Sequence, residues 1–195
     1  MSLIDVPGGQ LAAVVTYLEL PMAAATVAVP PSPLTLERVT LTPDAYRTLF
    51  RSVGAPWLWF SRLVMSDVAL SAIIDHSAVE LFEVRDGEQA VGMLELDRRV
   101  LGACELSFVG LVLAYAGKGH GRWLIAEAVS QAKIGAARVH VHTCSLDHPA
   151  ALSAYRRAGF VAVARKIETF SDPRLAGILP RDCAPQVPLV EPPSS

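Results

Sequence analysis

Residues 111–124 read LVLAYAGKGHGRWL, in which three glycines at alternate positions separate an apolar strand pattern from a helical pattern. Glycine permits positive φ angles and lets a ligand approach the backbone closely. The helix that follows offers unpaired N–H groups and the positive end of its dipole. Lys118 and Arg122 add positive charge to the same stretch. These features together predict an anion site, most naturally for a phosphate or a pyrophosphate.

Two familiar phosphate-binding loops do not fit this stretch. A Walker A loop needs Gly-Lys-Ser/Thr, whereas here Gly117-Lys118 is followed by Gly119. A dinucleotide fingerprint needs its third glycine after two intervening residues, whereas Gly121 comes after one. A flexible strand-to-helix turn without a ligand is the alternative, and the stretch alone leaves both interpretations open.

Strand and helix patterns alternate on both sides of the glycine loop. Asp86-Gly87-Glu88 is a hairpin signal between two apolar runs. Around and after it we predict strands over residues 78–85, 90–96, 104–113, 138–143 and 160–170, and helices over residues 119–136 and 149–158. The inner face of the first of these helices is expected to be Ile125, Ala128, Val129 and Ala132.

The first third of the chain has a different texture. Residues 14–20 are rich in β-branched and aromatic side chains and predict a first strand, and a proline-rich loop follows. Thr42-Pro43 signals a helix that runs to about residue 53, and Ser66-Asp67 signals another through residue 74. The element order therefore predicts an α/β fold with a mixed sheet covered by helices.

Composition narrows the class of protein. The chain has 195 residues, of which 52% are hydrophobic and 18% charged, so it has enough apolar side chains for a real core. A net charge of -2 without a basic block argues against nucleic acid as a partner. Mean hydropathy is +0.38, but the apolar stretch of residues 11–30 carries Glu19 and Pro21, so we expect no membrane span and no signal peptide. Three scattered cysteines favour a cytoplasmic location.

Two motifs resemble the GNAT superfamily, the acetyl-CoA-dependent N-acyltransferases. The family loop Gln/Arg-x-x-Gly-x-Gly/Ala falls on residues 116–121, with Ala116 in place of the usual Gln or Arg. The family pattern Asn-x-x-Ala-x-x-x-Tyr-x-x-x-Gly-Phe falls on residues 148–160, where the Ala, Tyr, Gly and Phe positions match and His148 replaces Asn. The resemblance covers residues 78–165 well, is weak before residue 60 and is absent from the tail.

The resemblance implies one GNAT domain over residues 1–170 and a proline-rich, irregular tail over residues 171–195. The expected fold is a mixed, mostly antiparallel, twisted sheet of six to seven strands with helices on both faces. Acetyl-CoA is the implied acyl donor, and no metal is expected. Its pantetheine arm is expected along the backbone of one strand and its pyrophosphate on the glycine loop, which gives the candidate cofactor-binding residues Val109, Gly110, Leu111, Gly117, Lys118, Gly119, His120, Gly121, Arg122 and His148.

Amine acetylation needs a base for the amine, donors for the thioester oxyanion and an acid for the leaving thiolate. Glu105 is a lone carboxylate in an apolar strand, where partial burial is expected to raise its pKa. Some members similar to this chain keep their glutamate base there, so Glu105 is the candidate base, directly or through a water. The alternative is a strand-edge glutamate that faces solvent or pairs with an arginine.

Tyr155 is the candidate acid, because the resemblance places this tyrosine near the sulfur of coenzyme A. The backbone N–H of Val109 is expected near the thioester oxygen. The alternative for Tyr155 is a core aromatic residue, since Ala151 and Ala158 share its helical face. The implied reaction is direct attack on acetyl-CoA by a primary amine, of a small molecule or a peptide, in a ternary complex.

Other readings stay open at this stage. His140, His142 and Cys144 alternate on one strand, a poor geometry for a compact zinc site and a remote option for a cysteine nucleophile. The aromatic cluster of Trp57, Trp59 and Phe60 could bind an apolar or aromatic acceptor, but we expect it mainly in the core. A sensor or scaffold domain that binds acyl-CoA without turnover, and a phosphate-ligand domain unrelated to coenzyme A, are the alternative functions. Members of the family often dimerise, so a homodimer is an expectation.

Overall fold

The computed structural model describes residues 3–23 and 28–192. Seven strands and four α-helices alternate along these residues: β1 Gln10–Leu20, β2 Thr35–Val39, α1 Pro43–Gly54, α2 Asp67–Ile74, β3 Val79–Asp86, β4 Gln89–Asp97, β5 Ala103–Leu111, α3 His120–Ala132, β6 Arg138–Cys144, α4 Ala151–Arg157 and β7 Val161–Ser171. Two short 3-10 turns, Ala55–Trp57 and Leu113–Tyr115, follow α1 and β5. All predicted elements are present, and β2 is an additional strand.

Local signals fix the ends of the N-terminal helices. The hydroxyl of Thr42 accepts the N–H of Ala45 at 3.3 Å, and Ser66 accepts that of Ala69 at the same distance. Each hydroxyl satisfies one of the free N–H groups of the first helical turn. The hairpin between β3 and β4 turns at Gly87, whose φ of 57° is a conformation that glycine adopts without strain.

The seven strands form one mixed sheet in the order β2-β3-β4-β5-β6-β1-β7. All neighbours are antiparallel except β5 and β6, which are parallel. This confirms the predicted mixed, mostly antiparallel sheet. Its strand order was not predicted: β1 lies between β6 and β7, so the first strand of the chain sits among the last ones.

Helices cover both faces of the sheet, as predicted. On β4, Met93 packs with α1 and α2, whereas Leu94 and Leu96 point to the other face and pack with α3 and α4. The predicted inner face of α3 is confirmed, because Ile125, Ala128, Val129 and Ala132 are all buried. We refer to the two sides as the α1 face and the α3 face.

The two parallel strands separate soon after they meet. β5 and β6 pair only from Ala103/Arg138 to Glu105/His140. Just beyond, a bulge in the β4–β5 ladder leaves Ser107 as an extra residue, because Leu96 pairs with Leu106 and Glu95 with Phe108. A bulge bends its strand and increases the local twist. The bulge therefore accompanies the divergence of β5 from β6 and the opening between them.

The chain after β7 has an irregular backbone but packs against the fold. Arg174 and Asp172 form a buried ion pair at 2.7 Å, each side chain only 2% exposed. The same guanidinium donates to the carbonyl oxygen of Val187 at 2.8 Å. Leu179 and Ala184 are buried in a cluster with Leu58. No helix or strand is found in residues 172–192, as predicted, yet this segment contributes to the core.

Within the part of the chain that the structure describes, no helix has the length and apolar character needed to span a membrane.

Candidate active site

The opening between β5 and β6 holds a cavity of about 880 Å³ that is lined from both faces of the sheet. We call one part the loop half, which is lined by the glycine loop, α3 and α4. We call the other part the aromatic half, which is lined by Trp57, Trp59, Phe60, Phe108 and Phe170. The two halves meet at the open edge of β5.

The loop half is formed by backbone. Gly117 and Gly119 have φ angles of 75° and 86°, so they turn the chain in a conformation that other residues adopt only with strain. α3 then starts at His120, and among the described residues no acceptor takes the N–H of His120 or Gly121. No heavy atom lies within 4 Å of a Cβ built on Gly121. The loop therefore offers open space and free N–H groups to an anion.

The charged side chains of the loop divide into two groups. Arg122 of α3 and Arg157 of α4 both line the cavity. Lys118 lies instead over the ring of Tyr115, with Nζ 5.4 Å from the centroid. The ring of His120 approaches Ser32, with Nδ1 3.4 Å from Oγ. Neither of the last two side chains lines the cavity, so any contact from these positions to a cavity ligand would come from the backbone.

The cofactor-strand residues predicted at the sheet edge are in place. Val109, Gly110 and Leu111 all line the cavity and pair with β4 on one side, while on the other side none of the described strands lies beside them. A Cβ on Gly110 would lie 2.6 Å from Cγ1 of Val53, so only glycine lets α1 pack this closely. This edge can therefore offer backbone donors and acceptors to an extended ligand.

Tyr155 belongs to the core and to the cavity wall at once. Its side chain is buried, and its ring meets Phe160 edge-on at 5.8 Å between centroids. It also lines the cavity, and no described residue hydrogen-bonds its hydroxyl. Burial, with the nearby charge of Asp147, raises the pKa of Tyr155. The phenol is therefore protonated at neutral pH and available to donate a hydrogen bond into the cavity.

Glu105 is arranged differently from the prediction. Its carboxylate lies 3.0 Å from Nδ1 of His142, and Glu105 itself does not line the cavity. This hydrogen bond lowers the pKa of Glu105 against the opposing effect of burial. The expected rise of its pKa is therefore wrong, because an imidazole partner outweighs desolvation. Sequence reasoning found the carboxylate but not its partner.

His142 lines the cavity where its halves meet. Val139 and Val141 point into the core on the α3 face, so His140 and His142 point to the α1 face. The hydrogen bond to Glu105 raises the pKa of His142. The structure places β6 parallel to β5, which brings the histidines of β6 next to Glu105.

The aromatic half is a wall, not only a core as expected. Its five aromatic side chains are partly exposed, and all of them line the cavity. Asp147 holds this wall: its carboxylate accepts the indole N–H of Trp59 at 3.0 Å and the hydroxyl of Thr143 at 2.7 Å. His148 lines the cavity beside Trp57 and accepts the N–H of Ala150 at 3.0 Å. The His148 ring thus caps the turn before α4.

A buried ionic cluster supports the aromatic half from below. The carboxylate of Glu95 is fully buried and accepts the hydroxyl of Tyr46 at 2.5 Å and a guanidinium N–H of Arg62 at 2.6 Å. The guanidinium of Arg62 also lies 5.2 Å from the centroid of the Phe108 ring. This cluster connects α1, the segment after Trp59 and the sheet. The alternation of Glu95 with core residues on β4 was its only signal in the sequence.

The structure also bears on the two alternatives of a Cys144 nucleophile and a metal site. Burial raises the pKa of Cys144 to about 11, which is opposite to what a thiolate nucleophile needs. Among residues 3–23 and 28–192, no group of three or more His, Cys, Asp or Glu side chains is placed to hold a metal ion.

Comparison with protein families gives one match, which covers more than half of the chain. The model of the acetyltransferase (GNAT) domain matches residues 59–170, which include β3 to β7 and the whole glycine loop. Among curated proteins, no sequence match to the chain is found.

Solved structures share the fold at low sequence identity. The chain is similar to a GCN5-related N-acetyltransferase from Sphaerobacter thermophilus, with a TM-score of 0.60 and 16% identity over 82% of this chain and 52% of that one. For a GCN5-related N-acetyltransferase from Kribbella flavida, the TM-score is 0.55 and the identity 19%, over 87% of this chain and 63% of that one. For a Bacillus subtilis acetyltransferase solved with CoA, the TM-score is 0.51 and the identity 20%, over 67% of this chain and 78% of that one. The chain thus spans about half to two thirds of the first two relatives.

Proposed function

Because the chain belongs to the GNAT acetyltransferase family, we propose that it transfers an acetyl group from acetyl-CoA to a primary amine. The observation that carries this proposal is the cavity that joins the loop half to the aromatic half at the open edge of β5. Such a cavity lets a donor and an acceptor enter from opposite faces of the sheet and meet at one backbone edge.

The loop half suits the donor. The free N–H groups at the start of α3, together with Arg122, suit the pyrophosphate of acetyl-CoA. Arg157 of α4, which also lines the cavity, adds a second positive charge. The open edge at Val109, Gly110 and Leu111 would pair with the amide groups of the pantetheine arm, and the N–H of Val109 would face the thioester oxygen.

The reaction is a direct transfer between the two substrates. The amine nitrogen forms a bond to the acetyl carbon, and the carbon–sulfur bond breaks with its electron pair on sulfur. Backbone N–H groups of β5 would stabilise the oxyanion. Tyr155 would donate its phenolic hydrogen toward the leaving thiolate.

The proposal is tested by titrating acetyl-CoA into the full chain by calorimetry and then measuring thiol release with a panel of amines. Micromolar binding together with amine-dependent thiol release is the expected result. Binding without turnover on any amine would favour the acyl-CoA sensor or scaffold. Failure of the folded protein to bind acetyl-CoA would contradict the proposal and leave the loop to another phosphate ligand.

A further inference from the structure

We infer that His142 accepts the proton of the amine, and that Glu105 is a positioning residue that fixes the imidazole ring. This inference rests on the proposed acetyl transfer and assigns to His142 the role of base that was predicted for Glu105. It starts from an asymmetry in the pair: His142 lines the cavity, whereas Glu105 lies behind it. A substrate amine in the cavity meets the ring and not the carboxylate.

The hydrogen bond between the two side chains fixes the tautomer. Glu105 stays ionised, because its pKa is lowered by this bond, and an ionised carboxylate only accepts. Nδ1 of His142, 3.0 Å away, must therefore carry the hydrogen. The neutral ring then has its lone pair on Nε2, to which no described residue donates. Nε2 is thus the nitrogen that is free to take a proton.

Several charged or titratable groups surround the ring, and they come from every element packed against it: Glu105 from β5, Tyr17 from β1, Lys166 and Glu168 from β7, Asp147 from the turn after β6, and His140 on its own strand. The carboxylates favour the protonated ring. Nζ of Lys166 lies over the ring of Tyr17, 5.1 Å from the ring centroid, and does not pair with His142.

The proton transfers balance as follows. The ammonium form of the acceptor gives one proton to Nε2 of neutral His142, and the resulting amine attacks the acetyl carbon. As the carbon–sulfur bond breaks, the second proton leaves the nitrogen and reaches the sulfur by way of Tyr155. The products are an acetamide, the thiol of coenzyme A and protonated His142. The half-exposed ring then returns its proton to solvent.

The test is the pH profile of kcat/KM, measured by thiol release for the wild type, His142→Gln, Glu105→Gln and the matched control His140→Gln. For the wild type, the rate should rise with pH through the pKa of His142, which its hydrogen bond to Glu105 raises above the usual range of histidine. His142→Gln should lose about 100-fold or more, the usual contribution of a general base. Glu105→Gln should retain more activity, with the acid limb moved to lower pH.

Other outcomes overturn the inference. If Glu105 were the base, His142→Gln would remain active with its limb moved to higher pH, and Glu105→Gln would be the inactive variant. His140 does not line the cavity, so His140→Gln should keep the wild-type limb. A wild type that binds acetyl-CoA but acetylates no amine would remove the proposed function and this role together. An active His142→Gln would remove the role alone.

A separate observation bears on the acceptor itself: the charged residues of the cavity are divided by sign. Arg122 and Arg157 line the loop half, whereas Asp147 and Glu168 line the cavity on the aromatic side. An anionic donor and a cationic acceptor would each meet the opposite charge. Glu168 is exposed and has no hydrogen-bond partner among the described residues, so its charge is available to a ligand.

From this division of charge, and from the five aromatic side chains that line the aromatic half, we propose that the acceptor is a cationic primary amine with an aromatic or bulky apolar body. Rings that line a cavity while half-buried gain most from a ligand that covers their exposed faces. A small hydrophilic amine would leave the faces of the same rings exposed to solvent. This proposal rests on the acetyl transfer above but not on the identity of the base.

The test compares kcat/KM for 2-phenylethylamine, ethanolamine and a lysine-containing peptide. We expect 2-phenylethylamine to exceed ethanolamine by about tenfold or more, since burial of its ring contributes at least 1.4 kcal/mol. Phe170→Ala should remove most of that ratio, whereas Val163→Ala, on the exposed strand β7, should keep it. Equal use of both amines, or preference for the peptide, would overturn the proposal while leaving acetyl transfer intact.

Discussion

The loop half of the cavity presents backbone to its ligand, whereas the aromatic half presents side chains. Gly117, Gly119 and the start of α3 leave N–H groups and empty space. Trp57, Trp59 and Phe170 supply shape and apolar surface, and Asp147 accepts the indole N–H of Trp59. Backbone geometry is specified by a few glycines, so it survives changes elsewhere in the sequence. A wall of side chains changes its ligand with any substitution in it. The first half therefore identifies a family, and the second distinguishes members within it.

The largest expected effect on ligand binding tests the loop half. Gly121→Leu should weaken acetyl-CoA binding about 100-fold, because its side chain fills the space in front of the free N–H groups and removes charge-assisted hydrogen bonds. Gly121 does not have a positive φ, so the fold should tolerate the change. Calorimetry gives the Kd and thermal melting the Tm. Ser130→Leu, on the exposed face of α3, should alter neither. A Gly121→Leu variant with normal affinity would show that the pyrophosphate lies elsewhere.

The next effect separates the stability of the two halves. Glu95→Gln should destabilise the protein by about 3–5 kcal/mol, because it leaves the half-buried guanidinium of Arg62 without its carboxylate. Denaturant unfolding measures this change. Glu37→Gln removes an exposed partner of Arg85 and should cost less than about 1 kcal/mol. Replacing Arg62 and Glu95 together by methionine should recover most of the loss. Equal effects of Glu95→Gln and Glu37→Gln would contradict a supporting role for the cluster.

A smaller effect is expected where the halves meet. Tyr155→Phe keeps the ring that packs on Phe160 and removes only the hydroxyl. It should reduce kcat about 10- to 100-fold and leave the Kd for acetyl-CoA and the Tm nearly unchanged. Steady-state kinetics and calorimetry on the same preparation check this. An unchanged kcat would assign Tyr155 to the core alone.

The smallest effect is the pH dependence of stability from the Glu105–His142 pair. The raised pKa of His142 contributes stability that is lost as pH rises through that pKa. The lowered pKa of Glu105 contributes stability that is lost as pH falls through that value. The free energies of unfolding of the wild type and Glu105→Gln should therefore differ most at pH values between these two pKa values. They should converge at lower and at higher pH. Both groups are partly exposed, so the difference should stay below about 1 kcal/mol. A constant offset at all pH values would show that the pair does not form.

The prediction from sequence succeeds where a local signal exists. Caps at Thr42 and Ser66, the turn at Gly87 and the glycines before α3 fix elements within a few residues. It fails where contacts are distant in sequence. The insertion of β1 between β6 and β7 depends on pairings more than 100 residues apart, and no turn signal encodes them. The packing of residues 172–192 could not be predicted either. This segment has no helix or strand pattern, and the buried Arg174 holds it by donating to the carbonyl oxygen of Val187.

The same limits apply to the candidate site. Glu105, Tyr155 and the glycine loop could be found from strand context and motif spacing. The pairing of Glu105 with His142 could not, because it depends on two strands that are parallel for only three residue pairs. The direction of the pKa of Glu105 follows from that pairing and not from burial alone. Lys118 and His120 carry the expected charge but turn toward Tyr115 and Ser32.

The place of β1 in the sheet has a consequence for how the chain is made. Its partner β6 begins at residue 138, 118 positions after β1 ends at residue 20. At a synthesis rate of about 5–20 residues per second, β1 leaves the ribosome roughly 6–24 s before β6 exists. During that time an apolar strand with free edges has no native neighbour, which is the condition that favours chaperone binding or aggregation. The strands β3 to β5 and α3 can form early from residues that are close in sequence, but the sheet is complete only after β6 and β7 have been made.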